Sequence, residues 1–298
     1  MGGNAKFTKK KHKERYAILL TCKTVPYKHI DNHVIDTLPL AHYWVLVVNL
    51  GWDTYFSIHY PTYYELTREF YATYEFNYPK DITTDTPRFN LTCGFISSEF
   101  AHSVEYEGAP CNFPDNFDLT ISWPLLFSDD KPYHTSTSRS TYLRPPDLWY
   151  IHCFLSMSFS GINDDSFRLS KTEFFFLFCM EHSIKINLTA WLGRQFLFMA
   201  KKKRGHLCLG SIITFIVIKL GVLDMNKTNM HIAYEMEPLD FDCLHKMRVI
   251  YKEKEKHYCI APPGPDLAPQ IICSKHSRPT ATEFDEEATP SNTSISLA

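Results

Sequence analysis

Residues Ser170 to Asp224, SKTEFFFLFCMEHSIKINLTAWLGRQFLFMAKKKRGHLCLGSIITFIVIKLGVLD, decide the fold. Ser170 and Glu173 stand three apart, so the hydroxyl can accept from the Glu173 amide while the carboxylate reaches back to Ser170: a capping box opening a helix. From Thr172 to about His182, Phe174, Phe175, Phe176, Leu177, Phe178 and Met180 cover most of a helical circumference, which predicts burial on more than one side. A second helix is expected from Asn187 to Arg204, with Trp191, Leu192, Phe196 and Met199 at helical spacing. Its stop signals are the cations Lys201, Lys202, Lys203 and Arg204 in a last turn, followed by Gly205. Ser211 to Leu220 is rich in β-branched residues, and its length and Gly221 favour a third helix over a strand.

Outward from this trio the pattern stays helical. In HYPTYYELTREFYATYEF, His59 to Phe76, Thr62 and Glu65 have capping-box spacing, and Tyr63, Leu66, Phe70 and Tyr74 share one face of an amphipathic helix. Its tyrosines could stack on bases, but at helical spacing beside Leu66 they are expected in the core. Trp44 to Leu50 is a buried strand or a helical turn, ended by Gly51 either way. Prolines interrupt residues 77 to 146, where short helices such as Leu91 to Phe100 are expected. Asp147 is the expected N-cap of an amphipathic helix lined by Leu148, Ile151, Leu155 and Phe159 and closed by Gly161. Pro238 precedes a last helix, Leu239 to Met247, with Phe241, Leu244 and Met247 inward.

The fold class is therefore mainly α: a single irregular helical domain over residues 16–251, with a minor β element and disordered ends. Residues 1–15 are expected to be a disordered basic arm, holding Lys6, Lys9, Lys10, Lys11, Lys13 and Arg15 against Glu14. Residues 252–298 turn to Pro, Ser/Thr and acid-rich composition and are expected to be a disordered tail. A chain of 298 residues, 44% hydrophobic, can bury one large core.

Net charge −2 argues against nucleic-acid binding over the whole surface. Two local clusters remain: Lys9, Lys10, Lys11, Lys13 and Arg15, and Lys201, Lys202, Lys203 and Arg204. Either could contact phosphates of RNA or another single-stranded nucleic acid without sequence specificity. Nine cysteines, none in a Cys-x-x-Cys pair, fit buried thiols in a reducing compartment. The apolar run Tyr16 to Leu20 is too short for a signal peptide, and Leu207 to Leu223 falls short of the about 20 residues of a membrane span. A nuclear or cytoplasmic protein, neither secreted nor membrane-bound, is the expectation.

No phosphate loop, G-x-S-x-G elbow or HExxH helix occurs. Asp129–Asp130 and Asp164–Asp165 are adjacent carboxylates without a third magnesium ligand, more simply solvated turns. Cys179/His182, Cys243/His245, His257/Cys259 and Cys273/His276 lack the spacing of a structural zinc site. No cofactor or metal is expected.

Five blocks carry a resemblance: the His59–Phe76 helix, LRPPDLWYIHCFLSMSFSG (Leu143–Gly161), LSKTEFFFLFCMEHSIKINLTAWLGRQF (Leu169–Phe196), GSIITFIVIKLGVLD (Gly210–Asp224) and MEPLDFDCLHKM (Met236–Met247). Over roughly Trp52 to Met247 the chain resembles the first open-reading-frame protein of plant Athila-type LTR retrotransposons. That resemblance implies a Gag-like, retroelement-derived structural protein, self-associating or RNA-binding, with no enzyme activity and no catalytic residues. The chain departs from the family at Thr84 to Phe89, where a strand-rich insert is missing, and it has no Cys-Cys-His-Cys knuckle. The alternative is a domesticated or inert remnant acting as a nuclear protein-interaction module.

Overall fold

The computed structural model describes residues 7–38, 40–75, 93–95, 117–127, 145–161, 168–222, 230–247 and 250–253. It also describes 113, 133–134, 138, 140 and 143, and the backbone of 257–260 and 270–273. The expected helix Leu91–Phe100, apart from Cys93–Phe95, lies outside these residues. So do Asp129–Asp130, Asp164–Asp165 and the junction at Thr84–Phe89.

The fold is mainly α-helical. In chain order the helices are α1 (Lys10–Leu19), α2 (Asn32–Thr37), α3 (Tyr43–Leu50), α4 (Asp53–Phe56), α5 (Tyr64–Thr73), α6 (Leu119–Leu126), α7 (Pro146–Phe154), α8 (Lys171–Glu181), α9 (Leu188–Ala200), α10 (Gly210–Lys219) and α11 (Phe241–Lys246). Helix α7 continues into a π-helical turn, Leu155–Ser160, closed by Gly161 in the left-handed conformation. The strands are short: β1 (Lys23–Thr24), β2 (Lys28–His29), β3 (Thr62–Tyr63), β4 (His206–Leu207), β5 (Ile232–Tyr234), β6 (Glu237–Pro238), β7 (Ile250–Glu253), β8 (His257–Ile260) and β9 (Gln270–Cys273).

Helix α8 is the centre of the core, as its composition predicts. Ser170 Oγ accepts from the Glu173 amide at 3.2 Å, and Glu173 Oε2 accepts from the Ser170 amide at 2.9 Å, completing the capping box. At 3.6 residues per turn, three consecutive phenylalanines point in three directions. Phe174 meets Trp123 of α6, with ring centroids 5.5 Å apart; Phe175 meets Phe117 at 4.9 Å; Phe176 sits between Trp52 at 4.7 Å and Trp191 at 5.0 Å. All three are buried, each contributing about 1.5–3 kcal/mol of apolar burial.

Below α8 lies a polar clasp. Glu173 is fully buried and accepts from Ser160 Oγ at 2.6 Å, while His152 Nε2 stands 3.7 Å from its other oxygen, an ion-pair separation longer than a hydrogen bond. Burial, the largest influence, would raise the Glu173 pKa, but His152, Ser160 and Ser170 together outweigh it and hold it below the ordinary value.

Of the two readings open for Trp44–Leu50 the helical one holds, with left-handed Gly51 at its C-cap as expected. Several other expectations are corrected. Asp147 is no N-cap: Pro145 holds the N-cap position of α7 without a side-chain capping bond, Pro146 occupies the first turn, and buried Asp147 accepts from the His42 amide at 3.2 Å. Nor is α7 amphipathic, since every residue from Asp147 to Phe154 is buried; α3, α8 and the π-helical turn enclose it. Its aromatic polar groups find internal partners: Tyr150 accepts from the Asp31 amide at 2.9 Å and donates to the Leu239 carbonyl at 3.0 Å, and Trp149 donates to the Leu143 carbonyl at 2.6 Å. Thr62 caps nothing either, because it lies in β3, and the buried set on α5 is Thr67, Tyr71 and Ala72, with Leu66, Phe70 and Tyr74 half-buried beside it. Tyr71 donates to the Cys208 carbonyl at 2.7 Å and Tyr74 to the Gly193 carbonyl at 3.2 Å, so these tyrosines are spent in the core. The last helix begins after Leu239, capped by Asp240, while Pro238 pairs with His29 in a ladder.

Short ladders tie the N-terminal segment to distant chain. β1 pairs parallel with β4, β2 parallel with β6, and β3 antiparallel with β5. β7, β8 and β9 form an antiparallel meander, so part of the stretch expected to be a disordered tail has strand backbone; 274–298 lie outside the described residues. Among the described residues no helix is long and apolar enough to cross a membrane, and no three His, Cys, Asp or Glu side chains converge as metal ligands.

Candidate nucleic-acid interface

The two basic clusters meet different fates. Residues 10–15, expected in a disordered arm, form the first part of α1, which packs along α5. Arg15 donates to the carbonyls of Ala72 at 3.3 Å and Tyr74 at 2.9 Å, serving backbone oxygens at the open C-terminal end of α5. Glu75, just beyond, pairs with Lys11, with Lys9 at 3.7 Å and with His12 at 3.0 Å. Lys11 and then His12 hold its carboxyl down at about 2. Lys10 stands 3.8 Å from Glu14 on the exposed side, and Lys13 is exposed. Much of this cluster therefore docks a helix, a use that charge counting could not foresee.

The second cluster follows α9. Asn187 caps that helix by accepting from the Ala190 amide at 3.2 Å, and Trp191, Leu192, Phe196 and Met199 turn inward as predicted. The helix ends at Ala200 rather than Arg204, so the four cations form a turn of their own. The early stop has a tertiary cause: the chain must swing round to lay His206–Leu207 beside Lys23–Thr24. There the Gly205 carbonyl accepts from the Lys23 amide at 3.1 Å, and Gly205 takes φ +95°. Lys201, Lys203 and Arg204 are exposed, and none pairs with an acid among the described residues. From His182 to Leu223 the sequence has no Asp or Glu. The negative pole of α9, about half a charge, offsets only a small part of four cations.

Tertiary structure adds neighbours that periodicity did not flag. Exposed Lys23 sits across the ladder from His206, itself exposed. Lys202 Nζ donates to the His206 carbonyl at 2.7 Å and lies 5.3 Å from the centre of the Phe198 ring. Arg194, one turn earlier, lies 5.3 Å over Trp191.

The clusters do not merge. Arg15 meets the C-terminal end of α5, whereas Arg68, midway along it, donates to the Cys22 carbonyl at 3.2 Å, beside the strand that pairs with His206.

Elsewhere, a cleft of about 490 Å³ between β2, β6 and α11 is lined by Lys28, Glu237, Asp240, Asp242 and Lys246, with Lys28 and Glu237 paired at 2.6 Å. Cys179 is buried and His182 exposed, its Nδ1 2.9 Å from the Phe178 carbonyl; Cys243 is buried and His245 exposed. Neither pair faces a shared ligand position. The side chains of His257, Cys259, Cys273 and His276 lie outside the description. Compared with family models, with curated proteins and with solved structures, the chain matches none.

Proposed function

We propose that this chain is a non-enzymatic, retrotransposon-derived structural protein of the Gag-like kind that binds RNA through its basic turn. The observation carrying this reading is the turn Lys201–Arg204: Lys201, Lys203 and Arg204 exposed, none of the four paired with acid among the described residues, and Lys23 beside them. Phosphate contact needs cations free to release counterions, and those of a docked pair such as Lys11 and Glu75 are less free. The resemblance of the five blocks to the Athila-type protein supports the same reading, and the scattered, unpaired cysteines suit work in the reducing nucleus or cytoplasm. Exposed Lys13 of α1 adds long-range attraction.

The test is affinity for single-stranded RNA across a salt series, comparing the full chain with a variant in which Lys201, Lys202, Lys203 and Arg204 are all Gln. Each single-strand phosphate contact contributes about 0.7 to the slope, so the variant should lose about three units. An unchanged slope in that variant would remove the turn from the interface.

A second reading, a protein-interaction module or self-associating surface, is favoured by α3. Trp44, Val45 and Val48 are 41%, 55% and 51% exposed on one helix.

A further inference from the structure

Phe198 lies on the outer face of α9, one turn after Arg194 and one turn before Lys202. It is 58% exposed, while its neighbours Phe196, Met199 and Ala200 are buried. A single exposed apolar side chain is common and by itself means little. What sets Phe198 apart is its company. Lys202 is pinned by its bond to the His206 carbonyl, with its ammonium 5.3 Å from the ring centre. One cation is thus already held against the ring, and three more, Lys201, Lys203 and Arg204, follow in an acid-free turn.

We propose that Phe198 is a stacking platform for one base of a single-stranded nucleic acid, with the neighbouring cations taking the adjacent phosphates. This inference rests on the RNA-binding reading above and deepens it. Exposed aromatic rings beside tracking cations are how sequence-tolerant single-strand sites are built, because every base offers a π-face. Holding the ring against Lys202 before binding also reduces the side-chain entropy lost on stacking. A membrane surface fits less well: along α9 Phe198 is flanked one turn away by Arg194 and Lys202, and no other large apolar side chain of that helix is exposed.

Fluorescence anisotropy on the full chain separates the outcomes, with a short oligouridylate and an abasic oligonucleotide of equal length as probes. Phe198→Ala should weaken oligouridylate binding about 5- to 150-fold, leave the salt slope unchanged and leave the abasic probe unaffected. Phe198→Tyr should keep the affinity. If Phe198→Ala binds oligouridylate as tightly as the natural chain, or weakens both probes equally, stacking is overturned while the basic turn stands. Loss of binding to anionic phosphatidylserine vesicles with RNA affinity intact would assign the ring to a membrane surface instead. Should the natural chain bind neither oligonucleotide at low salt, the RNA-binding reading falls and stacking falls with it. Matching thermal unfolding of the variants confirms that the comparison is of folded proteins.

Discussion

Gly210 and Thr62 meet with no room for a side chain between them. A Cβ on Gly210 would overlap Thr62 Cγ2 and come 2.9 Å from Thr62 Oγ1 and 3.0 Å from Thr67 Oγ1. This contact seats the first turn of α10 on β3 and α5. It is reinforced where Ser211 Oγ donates to the Tyr60 carbonyl at 2.5 Å and Thr214 Oγ1 to the Pro61 carbonyl at 2.9 Å. Gly210→Ala should destabilise the fold by about 1–3 kcal/mol through overpacking, measured by denaturant unfolding. Thr62→Ser in the same chain should recover part of that loss by removing the methyl group; additive costs would show that the two sites do not touch.

Glu173 is the second point of leverage. Glu173→Ala removes the capping-box carboxylate, strands His152 and frees Ser160, and should cost about 3–5 kcal/mol, with Glu173→Gln costing less. Because the folded pKa lies below the ordinary 4.5, the stability contributed by ionised Glu173 is fully present above about 4.5 and is lost as pH falls through the folded value. Unfolding curves of the natural chain and Glu173→Gln should therefore converge toward acid pH. A gap that stays constant would contradict the assignment.

Glu75 governs how α1 docks. Its carboxyl is held at about 2, chiefly by Lys11 and then His12, so its contribution is present above the ordinary 4.5 and disappears between there and about 2. Glu75→Gln should lower amide-exchange protection in Lys10–Leu19 at neutral pH while leaving α8 protected. It should also release Lys9 and Lys11, raising the salt slope of RNA binding by up to about 1.4. If protection in α1 does not change, the clasp is ornamental.

On α5, Glu65 and Glu69 are one turn apart, and burial followed by repulsion from Glu65 raises the Glu69 pKa. Its ionised form is disfavoured in the fold, so Glu69→Gln should stabilise by about 0.2–0.5 kcal/mol at neutral pH, with the gain vanishing as pH falls below the raised value. Thermal unfolding at two pH values checks both sign and direction.

The α3 face gives a separate test. If Trp44 and Val48 carry self-association, sedimentation of the natural chain will depend on concentration, and the Trp44→Glu, Val48→Lys double variant will sediment as a monomer. A natural chain that is monomeric throughout removes that reading.

Local features were well anticipated because their physics is local. The Ser170–Glu173 box spans three residues, the phenylalanine run of α8 needs only its own periodicity, and Gly51 closes a helix through its own backbone freedom. Thr62 has the same capping spacing as Ser170 yet lies in a strand, because pairing with Tyr234 and contact with Gly210 outweigh a local cap. Of the candidate site, the cations of the basic turn were evident. Lys23 and Phe198 were not: one arrives by strand pairing, and the other is a lone exposed ring in an otherwise ordinary amphipathic pattern.

By itself, then, the amino-acid order determined a mainly helical chain, a phenylalanine-rich central helix buried on several sides, most helix positions and two basic clusters. Tertiary structure alone decided which cluster is occupied. Glu75 is far from Lys11 along the chain and reaches it only because α1 lies on α5, while the turn after α9 is held by the Lys23 ladder with no acid beside it among the described residues. Charge is written in composition, but whether a charge is neutralised depends on distance, and only packing sets the distance between residues remote in sequence.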